Sequence, residues 1–244
     1  MEDLRVRDIT SHELILFGEI ISKLERASEG IDVRSLIFKD MIKLMRADIG
    51  LSCIWDEKAR KFVRPLIHNM EDNNFRRYET WYQFRDPHTF KLRALKRAAR
   101  VEEVMPYTAL YRTEFYNDFL RRDKLHHGVN IFLFDGHRDL GDFRLWRTQE
   151  KPDFEDREMC LLNALEPHIR KALIRNSNQN EQLTDREREI AMLVARGFRD
   201  RDIAQLLGIS FSTVRTHVNR AMEKRGCANR AELAVSATKI ASVQ

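Results

Sequence analysis

The 244-residue sequence has few of the features on which several protein classes depend. Its three cysteines, Cys53, Cys160 and Cys227, lie far apart, which argues against a disulfide framework and against a zinc site. No run approaches the ~18 consecutive apolar residues of a membrane span, and the N-terminal stretch lacks the apolar segment of a signal peptide. We therefore expect a cytoplasmic protein that does not enter the membrane.

Glycine and proline are also scarce, at nine and five residues, while 43% of the chain is apolar and 33% is charged. This composition is typical of a globular, helix-rich protein. The motifs GxSxG, HExxH and CxxC and a glycine-rich phosphate loop are all missing from the sequence. We therefore expect neither an enzyme nor a protein with a bound cofactor or metal.

A polar segment, NSNQNEQ at 176–182, separates two periodic regions and predicts a linker between domains at 1–175 and 183–244. The second region holds 11 Lys and Arg against 7 Asp and Glu, a net charge of +4, whereas residues 1–182 carry +1. This excess of positive charge favours a polyanion as the partner of the second domain.

The first region mixes helical and strand-like patterns. Helices are predicted at 12–27, 33–46, 73–84, 107–123 and 154–175. The runs IGLSCIW (49–55) with KFVRPLIH (61–68), and VNIFLFD (129–135) with LGDFRLWRT (140–148), predict two β-hairpins. Pro167 should kink or split the last helix. Helices around two hairpins indicate an α+β domain with an antiparallel sheet.

The second region is predicted to be an all-α domain of four helices. Its helix starts are marked by Thr184 with Glu187, by Ser210 and by Asn229, and its helix ends by Gly197, Gly208 and Gly226. A short second helix at about 200–207, the turn GIS and a longer third helix indicate a helix-turn-helix.

The third helix, within ISFSTVRTHVNRAMEKR (209–225), has two different faces. Its inner face carries Val214, Val218, Ala221 and Met222 at helical spacing. Its outer face offers hydroxyls, a guanidinium and an amide, which suit base edges in a DNA major groove: Arg to guanine, Asn to adenine and the Thr methyl to thymine. Arg220 and Lys224, further along, suit the phosphate backbone.

The run LTDREREIAMLVARGFRDRDIAQLLGISFSTVRTHVNRAMEKRGCANRAELAV (183–235) resembles the LuxR-type DNA-binding domain. The resemblance implies that Arg215, Thr216 and Asn219 face bases and that Ser212 and Thr213 lie near phosphates. It also implies that the fourth helix mediates dimerisation. Arg215 and Asn219 stand where other residues are common in the family, so the preferred DNA sequence does not carry over.

Three kinds of sensory domain differ in the sequence patterns that they require of residues 1–175. A phosphorylated receiver would need alternating strands and helices with acidic strand ends, and these are missing. An acyl-homoserine-lactone-binding domain is loosely resembled by YETWYQFRDP, which supplies Tyr78, Trp81, Tyr82 and Asp86 as candidate ligand-binding residues. The order of helices and hairpins resembles PAS or GAF sensors of small molecules, and a domain that binds no ligand but another protein stays open.

These patterns together predict a transcription regulator that binds double-stranded DNA as a homodimer. Its DNA binding would be controlled by a small-molecule effector in the N-terminal α+β domain. The alternatives are a lactone-responsive quorum-sensing regulator and a regulator whose first domain is a protein-interaction module.

Overall fold

The computed structural model describes the backbone of residues 8–27, 31–181 and 183–241 and the side chains of 8–27, 31–176 and 183–237. The chain divides into two compact units, Met1–Ile174 and Arg175–Gln244. The fold class agrees with the prediction: an antiparallel sheet with helices, followed by a helical unit.

The first unit is built around a five-stranded antiparallel sheet in the order β2-β1-β5-β4-β3. Its strands are β1 (Ile49–Asp56), β2 (Lys61–His68), β3 (Ala99–Arg100), β4 (His127–Asp135) and β5 (Arg138–Arg147). The predicted hairpins correspond to β1–β2 and β4–β5, and both are confirmed. The two-residue strand β3 was not predicted, because so short a run has no measurable period.

Two apolar clusters cover the two faces of this sheet. On one face, Val129 and Ile131 of β4 and Phe143 of β5 pack against three long helices. These helices are α1 (Ser11–Glu25), α2 (Val33–Leu44) and α6 (Asp156–Glu181). The other face, which we call the aromatic face, carries Phe132 and Trp146 and is covered by shorter segments. The alternation of side chains along each strand thus divides one sheet between two cores.

The segments over the aromatic face are short and irregular. They are α3 (Asp72–Thr80), α4 (Thr89–Ala94), α5 (Tyr107–Leu110), a π-helical turn at Phe115–Phe119 and 3-10 turns at Tyr82–Phe84, Val101–Glu103 and Leu120–Asp123. The single helix predicted at 107–123 is therefore wrong. Its aromatic residues follow a helical period, but the chain packs them by breaking the helix into three pieces.

Helix α6 differs from the prediction at both of its unusual features. It runs without a break through Pro167, so of the predicted kink or split the split is excluded. It also continues to Glu181, so residues 176–181 of the expected linker are helical, while residue 182 lies outside the described residues. A polar sequence without apolar residues still permits a helix when propensity favours it, and Asn, Gln, Ser and Glu do not forbid one.

The second unit contains four helices: α7 (Asp185–Ala195), α8 (Asp200–Leu207), α9 (Phe211–Arg225) and α10 (Arg230–Ala241). The capping box of α7 is present, since Thr184 and Glu187 exchange side-chain and backbone hydrogen bonds. Gly208 and Gly226 close α8 and α9 with φ near +60°, a conformation that glycine adopts without strain. The four predicted helices are confirmed.

Candidate nucleic-acid interface and effector site

Helix α9 begins at a cap that the sequence specifies locally. The hydroxyl of Ser210 accepts a hydrogen bond from the Thr213 backbone N–H at 3.1 Å. Val214, Val218 and Ala221 are buried at helical spacing in the core of the unit. These contacts fix the rotation of α9 about its axis, so the opposite side of the helix faces outward.

The predicted base-reading residues all lie on that outward side. Arg215, Thr216 and Asn219 are exposed. The Thr216 hydroxyl donates to the Ser212 carbonyl at 3.0 Å, which fixes its rotamer and leaves its methyl group outside. Within the described residues, Arg215 and Asn219 have no hydrogen-bond partner, so their donors and acceptors are available to base edges.

A small hydroxyl network stands at the N-terminus of α9. Ser210 Oγ lies 2.8 Å from Ser212 Oγ and 2.7 Å from Thr213 Oγ1. The N-terminal N–H groups and the helix dipole favour an anion there. The exposed side chain of Arg220 lies two turns further along and is suited to a second phosphate.

Lys224 does not fit the phosphate role that its spacing predicted. Its Nζ lies 2.7 Å from Oε2 of Glu187, which is 3% exposed. Burial alone would raise the pKa of Glu187, but the hydrogen bonds from Lys224 and Thr184 outweigh it and hold that pKa below its ordinary value. Lys224 thus connects α9 to the start of α7. Contact with phosphate would require this buried carboxylate to lose its cation.

One further ion pair and two hydrogen bonds to backbone carbonyls hold the helix-turn-helix in place. Arg186 donates to the Leu207 carbonyl at 3.2 Å, at the end of α8. Arg230 donates to Asp200 at 2.5 Å and to the Phe198 carbonyl at 2.6 Å. Several cations of the unit therefore make internal contacts. The exposed Arg215 and Arg220 of α9 are then the cations best placed to contact a polyanion.

The aromatic face of the first unit encloses a buried polar cluster. Arg144 of β5 is 3% exposed and donates twice to Asp142, at 2.6 and 3.0 Å. Its Nη1 donates to the hydroxyl of Tyr78 at 2.5 Å. Its guanidinium lies 4.0 Å from the ring centre of Phe62. Asp142 also accepts from the Cys53 N–H at 2.8 Å, so every member of this pair has defined partners.

The four predicted ligand residues are not brought together. Tyr78 and Tyr82 are 2% and 3% exposed and stack on Phe119 in the core. Asp86 accepts from the backbone N–H groups of residues 88 and 89 and so caps α4. Trp81, however, is 47% exposed, and Arg85 stacks on its ring. Trp81 therefore lies outside the cluster that contains Tyr78 and Tyr82.

Two polar residues that the sequence did not single out lie in the same interior. Both amide atoms of Asn130, which is 1% exposed, are buried with no hydrogen-bond partner among the described residues. Nδ1 of His88 makes no well-aligned hydrogen bond but lies 3.3 Å from Oδ1 of Asp86. Burial lowers the pKa of His88 and thus favours its neutral form. A single Asn between Val129 and Ile131 was the available signal, since polar residues are unusual inside a strand buried on both faces.

No group of three His, Cys, Asp or Glu within the described residues is arranged to hold a metal ion. Nor is any helix among them long and apolar enough to cross a membrane.

Comparison with known proteins identifies the second unit. Residues 181–237 match the family model described as bacterial regulatory proteins, luxR family. The C-terminal domain belongs to the LuxR family. A curated relative, the monoamine regulon transcriptional regulator of Klebsiella aerogenes, is 28% identical over 180 residues, which cover 73% of this chain and 78% of that protein. The chain thus carries a LuxR-family helix-turn-helix domain and is similar over most of its length to a transcription regulator.

Solved structures resemble this chain in fold. Escherichia coli SdiA matches with a TM-score of 0.51 at 17% identity, covering 92% of this chain and 96% of that one. The GAF domain of a phosphoenolpyruvate-protein phosphotransferase from Coxiella burnetii matches with a TM-score of 0.50 at 12% identity, covering 70% and 97%. The predicted fold, an α+β domain with an antiparallel sheet ahead of a LuxR-type helix-turn-helix domain, is confirmed.

Proposed function

We propose that this regulator binds double-stranded DNA in a sequence-specific manner through α9. The observation that carries the proposal is the exposed set Arg215, Thr216 and Asn219, on a helix whose rotation is fixed by its buried side. Ser212, Thr213 and Arg220 hold phosphates on either side of these residues. Lys224 contributes indirectly, through its pair with Glu187.

The regulator acts as a homodimer in this proposal. The apolar side chain of Val235 on α10 is 57% exposed, and it offers a small surface for a second copy. Two copies related by a twofold axis would place their recognition helices in major grooves about one DNA turn apart. A cytoplasmic location belongs to the same proposal.

Selection of binding sites from random duplexes with the full-length protein tests this function. We expect enrichment of two half-sites separated by about 10 base pairs. The variant Asn219→Ala should lose base preference at one position of each half-site, whereas Asn163→Ala, an exposed Asn of α6, should select the same sequences as the wild type. A wild-type protein that enriches no sequence would refute the proposal.

A small molecule in the first unit controls this DNA binding. Support comes from the aromatic face, where a few polar groups converge among buried rings, as in small-molecule sites. The relative from Klebsiella aerogenes, named for a monoamine regulon, is aligned with this chain over 180 residues, more than the C-terminal domain spans. The lactone alternative is weakened because Trp81 points away from Tyr78 and Tyr82. A ligand-free interaction module would leave Asn130 without a partner.

A further inference from the structure

Asn130 lies where a ligand would meet the centre of the sheet. Its Cα pairs with Arg144 of β5 on one side and with Ala99 of β3 on the other. Its neighbours Val129 and Ile131 point into the cluster of the long helices, so the Asn130 side chain points to the aromatic face. The residue is 1% exposed, and neither its amide nitrogen nor its amide oxygen has a partner among the described residues.

The other polar groups of this face have little capacity left for an anionic ligand. Arg144 uses all three of its nitrogens, on Asp142 and on Tyr78. Its positive charge is balanced by Asp142. The remaining buried capacity belongs to the amide of Asn130, because Nδ1 of His88 already lies 3.3 Å from Oδ1 of Asp86. An anionic ligand would therefore enter this interior without a free counter-charge and near the buried acidic side chain of Asp86, which is costly.

The unpaired side-chain amide of Asn130 also indicates the shape of the ligand that would pair with it. A side-chain amide presents one donor and one acceptor side by side, and such an edge pairs with a second edge of the same kind, as Asn pairs with adenine. Trp146 of β5 lies opposite Gly128, two residues before Asn130 on β4, and a side chain at Gly128 would meet its ring at 2.8 Å. His88 packs edge-on against Trp146, with ring centres 5.8 Å apart. Flat walls beside a donor–acceptor edge suit a planar ring.

We infer that the effector of this regulator is a planar compound without negative charge that carries a cis-amide edge, such as a lactam, a primary aromatic amide or a pyrimidinone, paired with Asn130. The inference rests on the proposed function, because it names the ligand class of that regulatory site. An open-chain secondary amide is trans and presents its donor and acceptor on opposite sides. It therefore cannot form this two-bond pair.

Thermal unfolding of the full-length protein tests the ligand class. All three tryptophans, Trp55, Trp81 and Trp146, belong to the first unit, so intrinsic fluorescence follows that unit alone. Uracil, 2-piperidone and nicotinamide serve as probes at millimolar concentration. N-methyl-2-piperidone and methyl nicotinate are matched controls, since each keeps the ring and loses the donor. At least one probe should raise the Tm by several degrees, and the controls should not.

Variants separate pairing with Asn130 from other binding. Asn130→Leu removes the amide at similar volume, so the protein should fold and should lose the response to the probes. Asn163→Leu makes the same change at an exposed site of α6 and should keep the response. The inference is overturned if no probe raises the Tm, as expected when a trapped water fills the site. It is also overturned if Asn130→Leu responds like the wild type, or if N-hexanoyl homoserine lactone stabilises the protein and the probes do not.

The proposed function can fail separately. DNA binding is measured on the sequence selected by the wild-type protein, without and with the active probe. Failure to bind any sequence refutes the DNA-binding proposal while the probe result stands. A probe that stabilises the first unit through Asn130 but leaves the affinity for DNA unchanged contradicts control of DNA binding by this ligand class.

Discussion

The two units of this regulator keep their important polar groups in opposite places. In the second unit, Arg215 and Asn219 are outside, and apolar residues fill the interior. In the first unit, Asp142, Arg144 and Asn130 are inside, beneath short helices and turns. An exposed polar side chain costs little in the free protein, whereas a buried one must be paired or it destabilises the fold.

This difference separates stability from function in one unit and joins them in the other. Residues on the outer face of α9 can change without loss of folding, so the DNA preference that we propose for this face can vary independently of stability. Asp142 and Arg144 on the aromatic face cannot, because each is the buried partner of the other. This contrast between the units can be tested with substitutions. Those on the outer face of α9 should change DNA binding and not stability, and those at the buried polar groups of the first unit should change stability.

The largest effect is expected from Arg144→Leu. The substitution leaves the Asp142 carboxylate buried without its cation, and loss of one partner of a buried pair costs about 3–5 kcal/mol. Urea unfolding of the full-length protein, followed by tryptophan fluorescence, measures this change in the first unit. The double variant Asp142→Leu/Arg144→Leu should recover much of the loss. If the single variant unfolds at the wild-type urea concentration, the buried pair does not have the role assigned to it.

The helices of the second unit were predicted well because the sequence signals that mark their ends are local. The caps at Thr184 and Ser210 and the glycines 208 and 226 each act within one turn of a helix. The period of Val214, Val218 and Ala221 then places the outer face. What the local pattern missed is the Lys224–Glu187 pair, which joins residues 37 positions apart.

The sequence predicted the hairpins of the first unit but not the side-chain contacts in its interior. Alternating runs identified β1, β2, β4 and β5, since a strand and its neighbour along the chain carry the same period. The pairing of Arg144 with Tyr78 spans 66 positions and leaves no periodic trace. The aromatic period at 107–119 was misleading, because rings packed on a sheet do not require a continuous helix.

Arg215→Ala should produce the next largest effect, but on DNA binding alone. Loss of a bidentate contact to a base costs about 1–3 kcal/mol at the selected sequence and relaxes preference at that position. Binding-site selection and fluorescence anisotropy measure both. Arg201→Ala, which removes an exposed guanidinium from α8, should keep the base preference. A lowered urea midpoint of Arg215→Ala would contradict the separation of binding from stability in this unit.

Glu187→Ala should destabilise the second unit by about 1–2 kcal/mol, because the cap of α7 and its buried acceptor are lost together. The pKa of Glu187 is lowered in the folded state from its ordinary 4.5, so its contribution is complete above that value and is lost as the pH falls below it. The helix signal in circular dichroism, compared between pH 7 and acid, measures this. Glu189→Ala, at an exposed pair with Arg186, should change little.

The smallest expected effect distinguishes Arg220 from Lys224. Arg220→Ala should lower the salt slope of DNA binding by about 1, since one phosphate contact is lost, and should weaken all sequences alike. Lys224→Ala should keep the wild-type slope and instead lower the stability of the second unit, because Glu187 is left buried without its cation. Equal slopes for Lys224→Ala and Arg220→Ala would show that Lys224 leaves Glu187 to bind DNA. The buried pair would then be a feature of the free protein only, and polar groups of this unit would be less firmly divided between inside and outside than the structure indicates.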